Sequence, residues 1–173
     1  MDSITITPYD PRWPGMFAAE RARLAEALGG LAQRIEHQGS TAVVGLAAKP
    51  IIDIQVSVAS LQPLDAFIAV LSSLGYVHVP HADDVRCPFF HRPADWPHTH
   101  HVHLVVTGGE EEARTLAFRD YLRSHPEVAE EYELLKRRLA RDADGGTFSG
   151  REAYTAGKTE FVERVTRLAL ERR

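Results

Sequence analysis

The sequence has 173 residues, a formal net charge of −4, and apolar and charged fractions of 44% and 25%. These values are typical of a globular protein, the length suits one domain with its own core, and the acidic balance argues against general nucleic-acid binding. No apolar stretch approaches the roughly 18 residues that a membrane helix needs, which argues against a membrane protein.

Cysteine usage and the N-terminus favour a cytoplasmic protein. Cys87 is the only cysteine, which excludes an intramolecular disulfide and a zinc site built from thiolates. The N-terminal segment MDSITITPYDPRW has no basic region followed by an apolar core, so it does not resemble a secretory signal.

The first part of the chain shows the apolar periodicities of a small sheet with helices. In chain order, we predict a short strand over 4–7, a helix from about Pro14 to Gly29, and a strand over 34–38. Next we predict a strand over 51–58, a helix over 61–74, and a strand over YVHV. A Pro-interrupted loop is then expected through PFFHR, followed by a last strand over THHVHLVVT.

Beyond Gly109 the pattern is helical almost throughout. Three helices are predicted: one from Glu110 to a break at Ser124, a second from Pro126 to about Arg141, and a third from Arg151 onward. The sequence therefore predicts one α+β domain over 1–173, with a sheet core of about 1–108, helices on one face, and a helical tail of about 109–173.

The two best strands are divided into an apolar and a polar face, because alternate strand residues point to opposite sides. One face carries Ile52, Ile54, Val56 and Val58 from the first strand, with Val102, Leu104 and Val106 from the second. If the strands are neighbours, the polar residues Asp53, Gln55, His101 and His103 converge on the open side of the sheet.

Several unusual motifs resemble those of the GrpB family, which is grouped with the nucleotidyltransferases. They are HQGSTAVVGLAAKPIIDIQV, THHVHLV, FRDYLRSHPEVAEEYELLKRRLA and YTAGKTEF, and the resemblance extends from Tyr9 to the last helix. It implies a nucleotidyltransferase-like fold with a small mixed sheet. It also implies a functional link to dephospho-coenzyme A kinase, to which such domains are sometimes attached.

The resemblance implies a nucleotide or phosphorylated metabolite as ligand. In such enzymes a Gly-Ser turn holds phosphates, which corresponds here to Gly39, Ser40 and Thr41. Two carboxylates at i and i+2 of a strand then hold two divalent metals. Asp53 takes the first position, as the candidate catalytic residue, but Gln55 takes the second, and an amide oxygen binds Mg²⁺ less strongly than a carboxylate.

Three functions follow from these residues, and the sequence leaves them open. One is nucleotidyl transfer with Mg²⁺ or Mn²⁺, for which the carboxylate set is incomplete. Another is a single Zn²⁺, Mn²⁺ or iron site built from Asp53, His101 and His103, since imidazole suits transition metals. The third is a non-catalytic module that senses a nucleotide or docks onto a partner, since fold does not fix function.

Further residues are candidates for phosphate contact. Lys49 lies between the turn and the strand, Arg86 lies in an irregular loop, and Tyr154 and Lys158 share a helical face. Two basic features are also candidates: the cluster Lys136, Arg137 and Arg138, and His98, at a position that is usually basic in the family.

Overall fold

The structure, a computed structural model, describes residues 4–171, and within that range a five-stranded sheet is combined with six α-helices. The strands are β1 (Arg34–Gln38), β2 (Ile52–Val58), β3 (Val77–Val79), β4 (Phe89–Arg92) and β5 (His100–Val106). The helices are α1 (Trp13–Leu28), α2 (Leu64–Ser73), α3 (Glu110–Ser124), α4 (Pro126–Asp142), α5 (Phe148–Ala156) and α6 (Thr159–Glu171). No helix in this part of the chain is long and apolar enough to cross a membrane.

The sheet is mixed, with the strand order β1-β2-β5-β4-β3. β2 and β5 are parallel neighbours at its centre, and all other pairs are antiparallel. A parallel pair needs a long crossover, which α2, β3 and β4 supply between the two strands. The register places Asp53 opposite His101 and Gln55 opposite His103, so the predicted neighbours are confirmed.

The apolar face of the sheet packs against α1 and α2. Ile52, Ile54, Val102 and Leu104 are fully buried there, with Leu24 of α1. This packing confirms the predicted apolar face of the two central strands except at Val106, which is 39% exposed at the end of β5. Burial of the β-branched and Leu side chains is the main driving force for such a layer.

The opposite face is less open than predicted, because α3 crosses part of it. Glu112 of α3 accepts a hydrogen bond from the Ser57 hydroxyl at 2.5 Å, and Arg119 of α3 donates to Glu36 of β1 at 2.7 Å. A second apolar core forms between the 43–46 loop and the tail helices. The tail is therefore the second layer over the polar face and borders the site formed there.

Two predictions in the sheet region were wrong. Residues 4–7 form no strand of the sheet; only Thr7 makes an isolated antiparallel bridge, with Ala48. The PFFHR segment, predicted as a loop, contains β4, which pairs with β5 on one side and β3 on the other. Proline 88 stands just before this strand, where its missing N–H costs no ladder hydrogen bond.

Helix boundaries differ at two places. The second helix begins at Leu64 rather than at Leu61, with Pro63 as its extended N-cap residue. The predicted helix from Arg151 is two helices, α5 and α6, separated near Gly157. A Cβ at Gly157 would lie 2.5 Å from Leu139 of α4, so a glycine lets this junction pack closely against α4.

Candidate functional site

Asp53, His101 and His103 come together on the polar face of β2 and β5. One Asp53 oxygen lies 3.2 Å from Nδ1 of His101 and 3.7 Å from Nε2 of His103. One ligand atom from each residue lies within 4.8 Å of the others, a spacing that suits a shared metal ion. The three residues project together because alternation and parallel register bring positions 53, 101 and 103 to one face.

Gly39 allows the loop after β1 to approach Asp53. Its φ of 71° is a left-handed conformation that favours glycine, and a Cβ here would lie 2.7 Å from Asp53 Oδ2. The turn that follows, Ser40–Ala42, is 3₁₀ rather than the start of an α-helix. Gly39 therefore brings the backbone of this loop against the Asp53 carboxylate, and Ser40 is the next residue.

The charges of the three residues depend on each other. Burial alone raises the pKa of Asp53, but its contacts with His101 and His103 outweigh burial and lower the pKa below its usual range. Burial alone lowers the pKa of His103, but its contacts with Asp53 and Cys87 raise the pKa to about 9. For His101, burial prevails over the bond to Asp53 and the pKa is lowered. The group thus contains a carboxylate and one imidazolium near neutral pH.

Each histidine of the group has a second partner on its other ring nitrogen. Nε2 of His101 lies 3.1 Å from Nδ1 of His98, and Nδ1 of His103 lies 4.0 Å from the Cys87 sulfur. The His98 ring also stacks on His91 with a centroid distance of 3.8 Å. These contacts fix ring orientation, as outer partners of metal-binding histidines commonly do. Burial lowers the pKa of His98 to about 4, so this side chain is neutral at physiological pH.

Lys49 and Lys158 both lie over the ring of Tyr154, close enough to Asp53 to interact with its charge. Their ammonium nitrogens lie 5.1 and 4.4 Å from the centroid of the Tyr154 ring, which is buried. Burial and the charge of Lys49 lower the pKa of Lys158 to about 7, and the negative charge of Asp53 only partly opposes this shift. Burial also lowers the pKa of Lys49. The structure thus brings together Lys49, Tyr154, Lys158 and Asp53.

Lys136 occupies the interior behind Ser40. It is 2% exposed, and its Nζ lies 3.0 Å from Ser40 Oγ, donates to the carbonyl of Ala47, and lies 4.9 Å from the Tyr132 ring centroid. The sequence indicated a basic cluster here but not that Lys136 alone is buried while Arg138 is exposed. The repeated spacing Tyr132–Lys136 and Tyr154–Lys158 was a signal that could have identified it.

Three predicted site residues are placed differently. Thr41 is buried, and its hydroxyl lies 2.9 Å from Nε2 of His37, so it supports the loop from behind. The Arg86 side chain is exposed and pairs with Asp83 and Glu111. Gln55 lies on the Asp53 face but is fully buried, and within 4–171 its amide atoms have no hydrogen-bond partner.

Comparison with known proteins supports a common fold. The sequence model "GrpB protein" matches residues 3–168. A UPF0157 protein of Pseudomonas aeruginosa is 41% identical over 172 residues, with 98% of this chain and 69% of that protein covered. The crystal structure of the conserved protein GrpB from Enterococcus faecalis superposes with a TM-score of 0.84 at 31% identity, covering 97% of this chain and 98% of that one.

A kinase is also among the relatives. A protein of Mycolicibacterium paratuberculosis named dephospho-CoA kinase is 31% identical over 190 residues. The match covers 96% of this chain but 46% of that protein.

Proposed function

The chain belongs to the GrpB family, and we propose that it binds a phosphorylated small molecule between Lys49, Lys158 and the Asp53 group. Gly39 and Ser40 border the same place. The observation that carries the proposal is a surplus of positive charge around one carboxylate.

The charge surplus favours an anion with more than one negative charge. Asp53 interacts with the charges of Lys49, of the His103 imidazolium and, at or below about pH 7, of the Lys158 ammonium, while it supplies a single compensating charge. Among residues 4–171 neither lysine forms an ion pair within 4.0 Å, although both are withdrawn from solvent. A phosphate would supply the missing charge and accept hydrogen bonds from both ammonium groups, and such charge-assisted bonds are the strong ones.

The donor set fits one transition metal better than two Mg²⁺ ions. Mg²⁺ prefers carboxylate oxygens, and the second carboxylate position of the strand is the buried amide of Gln55. Two imidazoles and one carboxylate instead form a recognised set for Zn²⁺, Mn²⁺ or iron. Asp53, His101 and His103 would hold that ion, which would supply Lewis-acid polarisation of a phosphate oxygen. His103 would have to lose its proton first, so its raised pKa makes metal binding weaker in acid.

The family relation narrows the ligands to be tested. Because a relative carries the name dephospho-CoA kinase, dephospho-coenzyme A belongs in the screen with nucleotides and pyrophosphate. The same relation supports docking to such a kinase as a further candidate partner.

Thermal unfolding with each phosphorylated compound, alone and with Zn²⁺, Mn²⁺ or Mg²⁺, tests the proposal, since ligands that bind only the native state raise its stability. We expect a phosphorylated compound to stabilise the wild-type protein. In Lys158→Met and Lys49→Met the apparent Kd for that compound should be at least about tenfold higher, because one lost charge is worth about 1.4 kcal/mol or more. Arg138→Met removes an exposed charge from α4 and is the matched control. Equal binding by Lys158→Met and Arg138→Met would refute the phosphate site.

Metal content tests the proposed site for a single transition metal. After loading and desalting, we expect elemental mass spectrometry to find about one equivalent of Zn²⁺ or Mn²⁺ per chain. The metal should be lost in His103→Ala and kept in His81→Ala. His81 instead caps the short turn Ala82–Val85.

A non-catalytic module is the alternative that Gln55 favours. It predicts that nucleotide stabilises the protein without metal and without release of pyrophosphate. Metal-dependent pyrophosphate release would favour nucleotidyl transfer instead.

A further inference from the structure

Ser40 and Lys136 have the geometry of a hydroxyl and its proton acceptor. The Lys136 nitrogen lies 3.0 Å from Ser40 Oγ and is held from the other side by the Ala47 carbonyl. Ser40 is half-buried, whereas Lys136 is 2% exposed. The serine directly follows Gly39, which lies against the Asp53 group of the phosphate site proposed above, and the Lys136 amine reaches the serine from the interior.

The surroundings favour the neutral amine. In the described residues no carboxylate lies within 4.0 Å of Lys136, which is instead packed at 4.9 Å from the Tyr132 ring centroid. Burial, then the charge of Lys158, lower the pKa of Lys136 to about 7, with Arg137 and Lys49 acting in the same direction and Glu133 opposing. At mildly alkaline pH the amine therefore has a lone pair for the Ser40 proton and an N–H for Ala47.

We propose that Ser40 is a nucleophile activated by Lys136, and that it accepts the phosphoryl group of an activated phosphate, such as a phosphoanhydride. Serine–lysine pairs with this division of roles recur on unrelated folds. Docking of the phosphoryl donor rests on the proposed function, whereas the pair itself rests on the Ser40–Lys136 contact.

The step balances without a further reactant. Lys136 takes the Ser40 proton as the bond from Oγ to phosphorus forms, and the bond from phosphorus to the leaving oxygen breaks with its electron pair. Lys49 and Lys158 offset the negative charge of the donor. In the second half an acceptor hydroxyl or water attacks phosphorus and releases its own proton to solvent. The bond from phosphorus to Ser40 Oγ breaks with its electron pair, and Ser40 recovers its proton from Lys136.

A fluorophosphonate probe tests the pair without requiring the phosphate site, because its phosphorus centre is uncharged. Attack by Ser40 forms an O–P bond and releases fluoride, leaving a stable adduct. Intact mass spectrometry and peptide mapping at pH 8 should find one adduct, on Ser40, and none in Ser40→Ala.

Two Lys136 variants separate a base from a fixed charge. Lys136→Met lacks the amine, while Lys136→Arg keeps a cation that cannot be deprotonated. Both should label about 100-fold more slowly, the usual contribution of a general base, while Arg138→Met labels at the wild-type rate. The wild-type rate should rise with pH through about 7.

Two outcomes overturn the proposal: no adduct on Ser40, or wild-type labelling in a folded Lys136→Arg or Lys136→Met protein. Circular dichroism establishes folding, and either variant alone suffices if the other fails to fold. Labelling of Ser40 in a protein that binds no phosphate compound would leave the pair standing and remove the phosphate site.

Discussion

Two groups of buried charge lie on opposite faces of the same sheet, and they are built differently. On the α1 face, Glu20 is 3% exposed and accepts from Arg23 at 2.8 Å, from Arg92 at 3.0 Å and from the Tyr76 hydroxyl at 2.9 Å. On the tail face, Asp53 contacts two histidines, while Lys49 and Lys158 lie on an aromatic ring with no carboxylate of residues 4–171 in ion-pair range.

The difference separates a group expected to be structural, around Glu20, from the proposed binding group around Asp53. A buried carboxylate whose oxygens all accept hydrogen bonds from the protein needs no further ligand, and removing it leaves the charges of its partners unpaired. Half-buried lysines that repel each other, such as Lys49 and Lys158, lower the free energy of unfolding, and a bound ligand of opposite charge would raise it again. The first arrangement is expected to stabilise the fold alone, and the second is the arrangement expected of the binding site proposed above.

The largest effect is expected for Glu20→Gln. Because Arg92 loses its buried counter-charge, the free energy of unfolding should fall by about 3 kcal/mol. Urea denaturation measures it, with Glu26→Gln, an exposed position of the same helix, expected within about 0.5 kcal/mol of wild type. If both variants unfold at the same urea concentration, the Glu20 group is not structural.

A smaller effect is expected for Gly39→Ala, which brings a Cβ within 2.7 Å of Asp53 Oδ2. The free energy of unfolding should fall by about 2 kcal/mol, because alanine is strained in the left-handed conformation and its Cβ displaces the carboxylate. Zn²⁺ should also bind more weakly, because the displaced carboxylate is one of its proposed ligands.

Gly45→Ala is the matched control, because its φ is 83° but no atom lies within 4 Å of the added Cβ. It should lose only about 1 kcal/mol and bind Zn²⁺ normally, as measured by urea denaturation and metal titration. Equal metal affinity in the two variants would show that Gly39 does not position Asp53.

The smallest change in the free energy of unfolding is expected for Lys158→Met, and here the change is a gain. The variant should be about 1 kcal/mol more stable without ligand but bind phosphate more weakly, which is the usual trade-off between stability and function. Between pH 7 and 10.5 the unfolded chain holds a proton that native Lys158 releases, so wild-type stability rises with pH there.

The advantage of Lys158→Met should therefore be largest below about pH 7 and disappear towards 10.5. Urea midpoints at pH 6, 8 and 10 measure this trend. A constant difference across the three would mean that Lys158 does not titrate in this range.

Much of the candidate site followed from local pattern. Alternation in β2 and β5 put Asp53, His101 and His103 on one face, because strand side chains alternate regardless of the rest of the fold. The β4 strand was not predicted, since the prolines around FFHR favoured a loop. Its pairing depends on β5, a partner that local sequence does not reveal.

The sequence by itself determined the family, the central strands and the convergence of Asp53 with two histidines, because periodicity and motif order are properties of the chain. Tertiary structure decided which cations face that carboxylate. Arg86 pairs elsewhere, Thr41 supports the loop, and Lys136 reaches Ser40 across 96 positions of chain. Such contacts depend on how the tail helices pack over the sheet, and burial there, not residue type, sets the charge state of each lysine.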